Sequence, residues 1–363
     1  MSALSVVQKI FPTPGLMSFP CVGVDVSDTS LKYIQFERPH HRGDVRIKCY
    51  GDVDIPVGTV ERGNVHDVGR LASVLAEMKV RTGAEYIRMS LPEERAYLFE
   101  TTVDAKTKPQ DIRGLIDFRL EENVPLPPKD VYFNYAVVSE DVESHTLRVV
   151  VAVYALATIE SYYAACAQAG LVPLSFEIEA QSIARATTPR THEGAYMIVD
   201  FGKTRMGIGI VYNGALMYTS TIEVAGVQMS ADMRDILGDV AESELTRIKN
   251  EHGLSRTKEN KDIAAVLQKY ADVIAEELNV RMRYWETRSI EKDERAIKKV
   301  IVCGGSANLF GLPEFLTNVL DTPTERASVW MNAFSLNRYI PEIDRRHSYG
   351  YATAVGLALK DFV

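Results

Sequence analysis

Alternating apolar and polar positions predict short strands in two distant stretches of the chain, each built around an aspartate. The first is FPCVGVDVSDTSLKYIQFE (19–37) and the second is AYMIVDFGKTRMGIGIVYNG (195–214). In each stretch an apolar strand ends at an Asp, a tight turn follows, and a second strand returns. Two such pairs, followed by a Gly-Gly turn in VIVCGGSANLFGL (300–312), predict a nucleotide held between two similar halves.

Helical spacing and turn residues predict the elements that complete the first half. Apolar residues three and four positions apart, from Val68 to Met78, give the helix VHDVGRLASVLAEMKVRTG one apolar stripe. Gly83 is placed to end that helix, and strand EYIRMSLP follows it. This stretch therefore predicts an α/β unit that opens with the first strand pair.

A segment with a different order of predicted strands and helices interrupts this half. Strand AYLFETTVD, a helix from Asp111, and strands VYFNYAVVSE and HTLRVVVAVYA around the loop DVES give the order strand, helix, strand, strand. Helical spacing predicts that the helix buries four apolar residues: Leu115, Ile116, Phe118 in part, and Leu120. A further helix, ATIESYYAACAQAG, is closed by Gly170. The module is long enough to be an insertion.

A polar, proline-containing break, TTPRTHEG (187–194), predicts the boundary between the halves. Three helical stretches follow the second strand pair: VQMSADMRDILG, ESELTRIKNEHG and the long DIAAVLQKYADVIAEELNVRMRYWETRSI, before the charged EKDERAIKK. Strand KVIVCGG, helix LPEFLTNVL and a terminal helix in GYATAVGLALKDFV close the chain. The pattern predicts two α/β halves, each opening with a β-hairpin.

Composition excludes several classes of function. The chain of 363 residues has a formal net charge of −8, which argues against broad nucleic-acid binding because that needs a basic surface. Its four cysteines are widely spaced, which favours reduced thiols and a reducing compartment: Cys21, Cys49, Cys166 and Cys303. No Cys/His cluster suggests a metal site, and no apolar run approaches the ~20 residues of a membrane span.

The N-terminal stretch MSALSVVQKIFPTPGLMSFP lacks a clustered basic region and is a poor signal peptide. Its apolar residues fit one or two amphipathic helical turns, and residues 1–18 are expected to form a short arm packed on its own domain. Weak contact with a membrane or a partner is the alternative.

The two aspartate turns carry the candidate chemistry. Asp25 ends the first strand, where a carboxylate can hold hydrated Mg²⁺, and Asp200 has the equivalent position in the second half. Gly202 permits close backbone approach to an anion, and Lys32 on the returning strand supplies a point charge for phosphates. Either hairpin alone is typical of a solvent-facing turn with Asp as a turn former. The pair in matching contexts favours binding.

Three further candidates have structural alternatives. Gly304 and Gly305 suit the close approach of a flat ligand, or simply a tight strand-to-helix turn. Lys249 is a candidate for the wall of an adenosine cleft, or belongs to a solvated helix face. Glu179 is placed to position a water molecule for attack on a γ-phosphate, or stabilises a helix N-terminus.

Together these motifs resemble the actin-like ATPase superfamily, which includes actin, sugar kinases, heat-shock chaperone ATPases and the division protein FtsA. VGVDVSDTSLK and IVDFGKTRMGIGIVYNG look like its two phosphate motifs, VCGGSANLFGLPEFL like its adenosine motif, and ESELTRIKNEHG like its adenosine-side helix. The resemblance implies ATP and Mg²⁺ as cofactors, with Asp25 and Asp200 holding Mg²⁺ through water and Glu179 positioning water. The implied nucleotide contacts are Ser27, Asp28, Thr29, Ser30, Lys32, Gly202, Lys203, Thr204, Lys249, Gly304, Gly305 and Ser306.

Within that superfamily the chain is most similar to the PilM family of type IV pilus assembly, a relative of FtsA. The supporting stretches are IVDFGKTRMGIGIVYNGALMYTSTIEVAGVQMS, FEIEAQSIARAT and YATAVGLALKDF, together with the inserted module. The resemblance implies a cytoplasmic adaptor that is at most a slow ATPase. Its implied partners are the cytoplasmic N-terminal peptide of a PilN-like inner-membrane protein and a pilus motor ATPase or other pilus components. Its association with the inner face of the membrane would be indirect.

The implied fold is α/β and actin-like, with two lobes around a nucleotide cleft and an inserted strand-helix-strand-strand subdomain of the FtsA/PilM type (1C). The implied ranges are 19–92, 172–194 and 340–363 for the first lobe (1A), 93–171 for the insert, 195–240 and 298–339 for the second lobe (2A), and 241–297 for a helical subdomain (2B). The peptide groove is expected where the insert meets the first lobe, by strand addition or by a hydrophobic groove.

The first phosphate motif departs from the family pattern Asp-x-Gly-Ser-Ser. Ser27 replaces the glycine, and Asp28 places a carboxylate where a hydroxyl often faces phosphate. An uncompensated carboxylate there would repel a triphosphate, whereas a shared Mg²⁺ or an outward orientation would permit binding.

Three other kinds of protein are alternatives to a pilus adaptor. An FtsA-like filament-forming division protein is disfavoured because the chain stops at KDFV, without a linker and a membrane-targeting helix. A sugar kinase needs a catalytic base and a sugar pocket, for which no motif stands out. A degenerate scaffold without nucleotide turnover is the alternative that Ser27 and Asp28 favour.

Overall fold

The computed structural model describes residues 21–37, 45–190, 194–224, 226–287 and 296–362. The predicted N-terminal arm lies outside the described residues, as do parts of the break TTPRTHEG and of the charged segment EKDERAIKK.

Strands of the described residues are numbered along the chain. They are β1 (Cys21–Val26), β2 (Ser30–Glu37), β3 (Arg46–Asp54), β4 (Val60–Glu61), β5 (Asn64–Val65), β6 (Tyr86–Leu91), β7 (Ala96–Asp104), β8 (Val131–Asp141), β9 (Thr146–Ala155), β10 (Val172–Ile178), β11 (Ala195–Phe201), β12 (Met206–Tyr212), β13 (Ala215–Ile222), β14 (Ile297–Cys303) and β15 (Thr324–Arg326).

The helices are α1 (Val68–Thr82), α2 (Pro109–Asn123), α3 (Leu156–Gln168), α4 (Glu179–Thr187), α5 (Gly226–Leu237), α6 (Glu242–Glu251), α7 (Lys261–Thr287), α8 (Leu312–Leu320), α9 (Arg345–Ser348) and α10 (Ala352–Leu359). In the part of the chain that is described, no helix combines the length and the apolar character needed to cross a membrane.

Two sheets of the described chain repeat one topology. The first has the order β3-β2-β1-β6-β10 and the second has the order β13-β12-β11-β14-β15. In each, the central strand (β1 or β11) pairs antiparallel with the strand that follows it and parallel with a later one (β6 or β14). The predicted pair of α/β halves, each opening with a hairpin, is confirmed.

A separate antiparallel sheet, β7-β9-β8, carries helix α2 and confirms the inserted strand-helix-strand-strand order. Helix α2 buries Ile112, Ile116 and Leu120 against this sheet. The prediction for two other residues of α2 was wrong, because Leu115 is 42% exposed and Phe118 is 84% exposed. Successive helical residues are turned by about 100°, so Phe118 faces away from the stripe that repeats every four residues.

Helix α10 packs closely against the first sheet and α4. A Cβ atom on Gly23 in β1 would lie 2.1 Å from the carbonyl oxygen of Ala354 in α10. A Cβ atom on Gly356 would lie 1.7 Å from the carbonyl oxygen of Ser182 in α4. These glycines let backbones meet directly, which places the first residue of α4, Glu179, beside the end of β1.

Helix α3 packs on α1, and its buried residues Tyr162 and Cys166 belong to the core of the first lobe. The second sheet has a core of its own with α5, α7 and α8, in which Trp285 is fully buried. The predicted division of the chain into numbered subdomains stays a prediction.

Candidate functional site

The turns after β1, β11 and β14 all line one cavity. Its lining residues are Asp25, Ser27, Thr29, Ser30, Lys32, Glu179, Asp200, Gly202, Lys203, Thr204, Arg205, Gly207, Gly304, Gly305 and Gly350. All the site residues predicted from sequence are in this set except Asp28, Lys249 and Ser306. The lining also includes Arg205, Gly207 and Gly350, which the sequence motifs did not single out.

The first turn is closed by the side chain of Ser27. Its Oγ donates to the carbonyl oxygen of Ser30 at 2.9 Å and accepts from the backbone N–H of Ser30 at 3.1 Å. The backbone N–H of Ser27 also donates to Ser30 O at 2.9 Å. A serine therefore builds the turn where the superfamily motif has glycine, and its hydroxyl is used within the turn.

The second turn depends on the absence of a side chain at Gly202. The N–H of Gly202 donates to the carbonyl oxygen of Arg205 at 3.0 Å, and a Cβ atom on Gly202 would lie 2.7 Å from that oxygen. Ser306 donates its Oγ hydrogen to Gly202 O at 3.0 Å. Ser306 therefore supports the turn from behind.

Glycine at position 304 is required by both conformation and space. Its φ is +85°, and a Cβ atom there would lie 2.4 Å from Oδ1 of Asp200. A Cβ atom on Gly305 would meet nothing within 4 Å, which leaves open space beside the turn. Gly304 thus forms a tight turn after β14, and Gly305 leaves the cavity wall beside it unobstructed.

Asp25 and Asp200 form a pair of half-buried carboxylates that line the cavity. Ser90 donates to Oδ1 of Asp25 at 3.0 Å. Burial raises the pKa of Asp25, although Lys32 and the hydrogen bond from Ser90 oppose this. Burial, and then repulsion by Asp25, raise the pKa of Asp200 to about 6. Two carboxylates that repel each other are a donor set that hydrated Mg²⁺ would suit, since Mg²⁺ prefers carboxylates and water.

Within the described residues, no three His, Cys, Asp or Glu side chains come together as a metal site. Lys32 lies opposite Asp25 in the hairpin register, and its Nζ donates to Ser30 Oγ at 2.9 Å. The cavity therefore has both a cation and carboxylates beside the first turn.

Glu179 is the first residue of α4 and is buried in the cavity wall. Burial raises its pKa well above the ordinary range, with Arg205 opposing and Asp25 adding to the rise. The next residue, Ala180, donates its N–H to Oε1 of Glu93 at 2.8 Å. Burial and then Asp200 raise the pKa of Glu93 to about 8. Glu179 therefore lies both at the N-terminus of a helix and in the wall of the cavity.

Lys249 is not among the residues that line the cavity. Its Nζ donates to Ser230 Oγ at 2.8 Å and to Gly226 O at 3.5 Å, and lies 3.5 Å from Oε1 of Glu242. Burial lowers the pKa of Lys249. These contacts connect α6 to α5, and a role toward adenosine stays a prediction.

Asp28 is not among the residues that line the cavity, and it pairs with a cation that does line it. Its Oδ2 accepts from Nη1 of Arg205 at 2.8 Å, and its Oδ1 accepts from the N–H of Gly63 at 3.4 Å. The repulsion expected at Asp28 is thus compensated by a residue of the other turn. Arg205 follows Thr204 within the second motif, so its position in that motif was the available signal.

Comparison with known proteins identifies the family. The model of the family described as "Type IV pilus assembly protein PilM" matches residues 23–362. The solved "PilM-PilN type IV pilus biogenesis complex" is similar with a TM-score of 0.75 and 17% identity, over 94% of this chain and 98% of that chain.

Two other solved structures share the fold. Ethanolamine utilization protein EutJ from Carboxydothermus hydrogenoformans has a TM-score of 0.53 and 16% identity, over 96% of this chain and 91% of that chain. MreB5 of Spiroplasma citri, solved with ADP, has a TM-score of 0.53 and 11% identity, over 93% of this chain and 95% of that chain. The predicted actin-like fold, with two α/β lobes around a cleft, is confirmed.

Proposed function

We propose that this chain, which belongs to the PilM family of type IV pilus assembly proteins, is a nucleotide-binding adaptor of pilus assembly. Its partner would be the cytoplasmic N-terminal peptide of a PilN-like inner-membrane protein. A similar fold in a complex of PilM with PilN supports that choice. Through this peptide the adaptor would lie at the inner face of the cytoplasmic membrane and connect to a pilus motor ATPase or other pilus components.

Nucleotide binding rests on one observation: the three predicted motifs line a single cavity between the lobes. The backbone N–H groups in the middle of the two turns, at Asp28 and Thr29 and at Lys203 and Thr204, would bind phosphates together with the Lys32 ammonium. Asp25 and Asp200 would hold Mg²⁺ through water. When bound, Mg²⁺ offsets the charge of the phosphates and of both carboxylates.

Glu179 is the proposed water-positioning residue. Its buried carboxylate faces the cavity from the N-terminus of α4, so it has the location that such a role requires. Burial raises the pKa of Glu179 well above the ordinary range, which makes its carboxylate a stronger base than that of an exposed glutamate. Turnover is proposed to be slow at most, as the resemblance to the PilM family implies.

Calorimetric titration of MgATP into the full chain tests nucleotide binding. We expect one saturable site, weakened about tenfold by Lys32→Ala because one charge contact with phosphate is lost. Lys48→Ala is the matched control, since Lys48 is exposed on β3 of the same sheet. Absence of binding in the wild-type chain would leave the degenerate scaffold as the better description.

The partner claim needs a separate experiment. We expect a labelled peptide of the N-terminal cytoplasmic segment of the PilN-like protein from the same organism to bind the full chain, measured by fluorescence anisotropy. A peptide of the same composition in scrambled order is the control. Equal binding of both peptides, or of neither with and without nucleotide, would contradict the adaptor function.

A further inference from the structure

One ion pair joins the two phosphate-type turns directly. Nη1 of Arg205, in the turn between β11 and β12, lies 2.8 Å from Oδ2 of Asp28, in the turn between β1 and β2. The same Nη1 lies 3.0 Å from Oε1 of Glu94, in the helical turn Glu93–Arg95 that follows β6. A guanidinium from one side of the cleft is therefore held by two carboxylates from the other side.

This trio is mostly buried. The exposed side-chain fractions are 16% for Arg205 and 17% for both Asp28 and Glu94. Neither carboxylate oxygen of Glu94 accepts a hydrogen bond from any described residue, so Arg205 is its charge partner. Burial alone would lower the pKa of Arg205, but Glu179, Glu94 and Asp28 raise it. Removing the guanidinium would leave buried carboxylates uncompensated.

A second ion pair crosses between the same two sides and serves as a contrast. Nη2 of Arg62 lies 2.7 Å from Oε1 of Glu223, but both side chains are 77% exposed. Water screens such a pair, so it contributes little to holding the two sides together. The Arg205 trio can hold the two turns together because it is mostly buried, and an exposed ion pair at the same place would contribute little.

We propose that Arg205, Asp28 and Glu94 form a latch that joins the two phosphate-type turns in the nucleotide-free protein. The phosphates of a nucleoside triphosphate would take the guanidinium from Asp28 on binding. The second half of this inference rests on the proposed nucleotide binding; the first half does not. Arg205 would thus be a further phosphate-binding residue. Its ion pair with Asp28 would have to break first, so Asp28 would lower the affinity for nucleotide.

The chemistry favours such an exchange. Arg205 lines the cavity, whereas Asp28 lies beside it, so the guanidinium is within the space that phosphates would enter. A guanidinium binds a phosphate through paired hydrogen bonds as readily as it binds a carboxylate. Glu94 would remain as the second partner of Arg205 after the exchange. Nucleotide binding would then replace a direct contact between the turns with a contact through the ligand.

Hydrogen exchange of the nucleotide-free full chain tests the latch itself. We expect Arg205→Gln to raise exchange about tenfold in the backbone of both turns, including the Gly202 N–H and the Ser30 N–H, because local opening becomes easier. Arg62→Gln is the matched control and should leave both turns unchanged. Unchanged exchange in Arg205→Gln, with the far-ultraviolet circular dichroism of the wild type, would overturn the latch.

MgATP affinity measured on three variants tests the exchange. Asp28→Asn should bind MgATP about tenfold more tightly than wild type, since Arg205 is released and a repelling carboxylate is removed. Arg205→Gln should bind about tenfold more weakly, and Arg205→Lys should fall between Arg205→Gln and wild type. If the ion pair were purely structural, Asp28→Asn and Arg205→Gln would change the MgATP affinity in the same direction. That result would overturn the exchange.

The two experiments separate failure of this inference from failure of the proposed function. If neither the wild type nor any variant binds MgATP, the nucleotide function and the exchange are both wrong. Hydrogen exchange alone then tests whether the latch exists. If wild type and variants bind MgATP with equal affinity, the function stands and the exchange is wrong.

Discussion

The two lobes share one sheet topology, but their turns are built differently. In the first turn a serine side chain, Ser27, supplies the hydrogen bonds that close the loop. In the second, the backbone N–H of Gly202 closes the loop, and Ser306 supports it through the Gly202 carbonyl oxygen. The first turn carries a carboxylate at Asp28 and the second carries a guanidinium at Arg205, and these meet across the cleft. A repeated fold has therefore acquired two complementary turns.

The largest expected effect concerns packing that the first lobe depends on. Gly356→Ala in α10 should destabilise the protein by about 3 kcal/mol or prevent folding, because its Cβ would lie 1.7 Å from Ser182 O. The free energy of unfolding in urea measures this. Gly114→Ala in α2 is the control: nothing lies within 4 Å of that Cβ, so a gain of roughly 0.5–1 kcal/mol is expected. Equal effects would contradict the close approach of α10 and α4.

The next effect compares the two ion pairs that cross the cleft. Arg205→Gln should cost about 2–3 kcal/mol of unfolding free energy, because Asp28 and Glu94 lose their buried counterion. Arg62→Gln should cost about 0–1 kcal/mol, since that pair is exposed. Chemical denaturation of both variants beside wild type measures the difference. Similar costs for the two variants would show that burial does not distinguish the pairs.

A third prediction compares the contributions of the two turns to Mg²⁺ binding. Asp25→Asn and Asp200→Asn should each weaken the Mg²⁺-dependent part of ATP affinity about tenfold, or ~1.4 kcal/mol, because each removes one carboxylate from the pair. Calorimetry with and without Mg²⁺ measures this part separately. A loss confined to one variant would indicate that metal belongs to one turn only.

The smallest effect compares two carboxylates that lie two residues apart. Burial raises the pKa of Glu179 in the cavity. At Glu177, burial also acts to raise the pKa, but Arg185 and Lys360, each 2.5 Å away, outweigh it and lower the pKa. A group whose pKa falls on folding stabilises the protein above its unfolded pKa, and that contribution is lost as pH falls through the folded pKa.

Glu177→Gln should therefore lose about 1 kcal/mol of stability near neutral pH, and the difference from wild type should shrink as pH falls below about 4.5. Urea unfolding of both proteins between pH 3 and pH 7 measures the difference. A difference that stays constant with pH would mean that the Glu177 charge is not the cause.

The sequence pattern predicted those parts of the fold that rest on local periodicity. The stripe of α1, its end at Gly83 in a left-handed conformation, and strand β7 lie where the pattern indicated. Strands β13 and β15 were not indicated. Their place in the second sheet is set by pairing with β12 and β14, which one local stretch cannot reveal. Phe118 was misplaced because the helical face was read from hydrophobicity alone.

Site residues were predictable where a single sequence motif determines their position. They were missed where the site depends on contact between residues that are distant in the sequence. Asp25, Asp200 and Gly304 lie beside the cavity because each is within one residue of the end of a strand in a repeated unit. The partner of Asp28 was missed, since Arg205 is far along the chain and the pairing exists only after the lobes meet. Glu93 and Glu94 were missed for the same reason.

The central claim, that both turns bind one ligand, is tested most directly by hydrogen exchange of the full chain with and without MgATP. We expect the N–H groups of Ser27–Ser30 and of Gly202–Arg205 to gain protection together and over the same range of MgATP concentration. Protection of one turn without the other, or of neither at saturating MgATP, would contradict it.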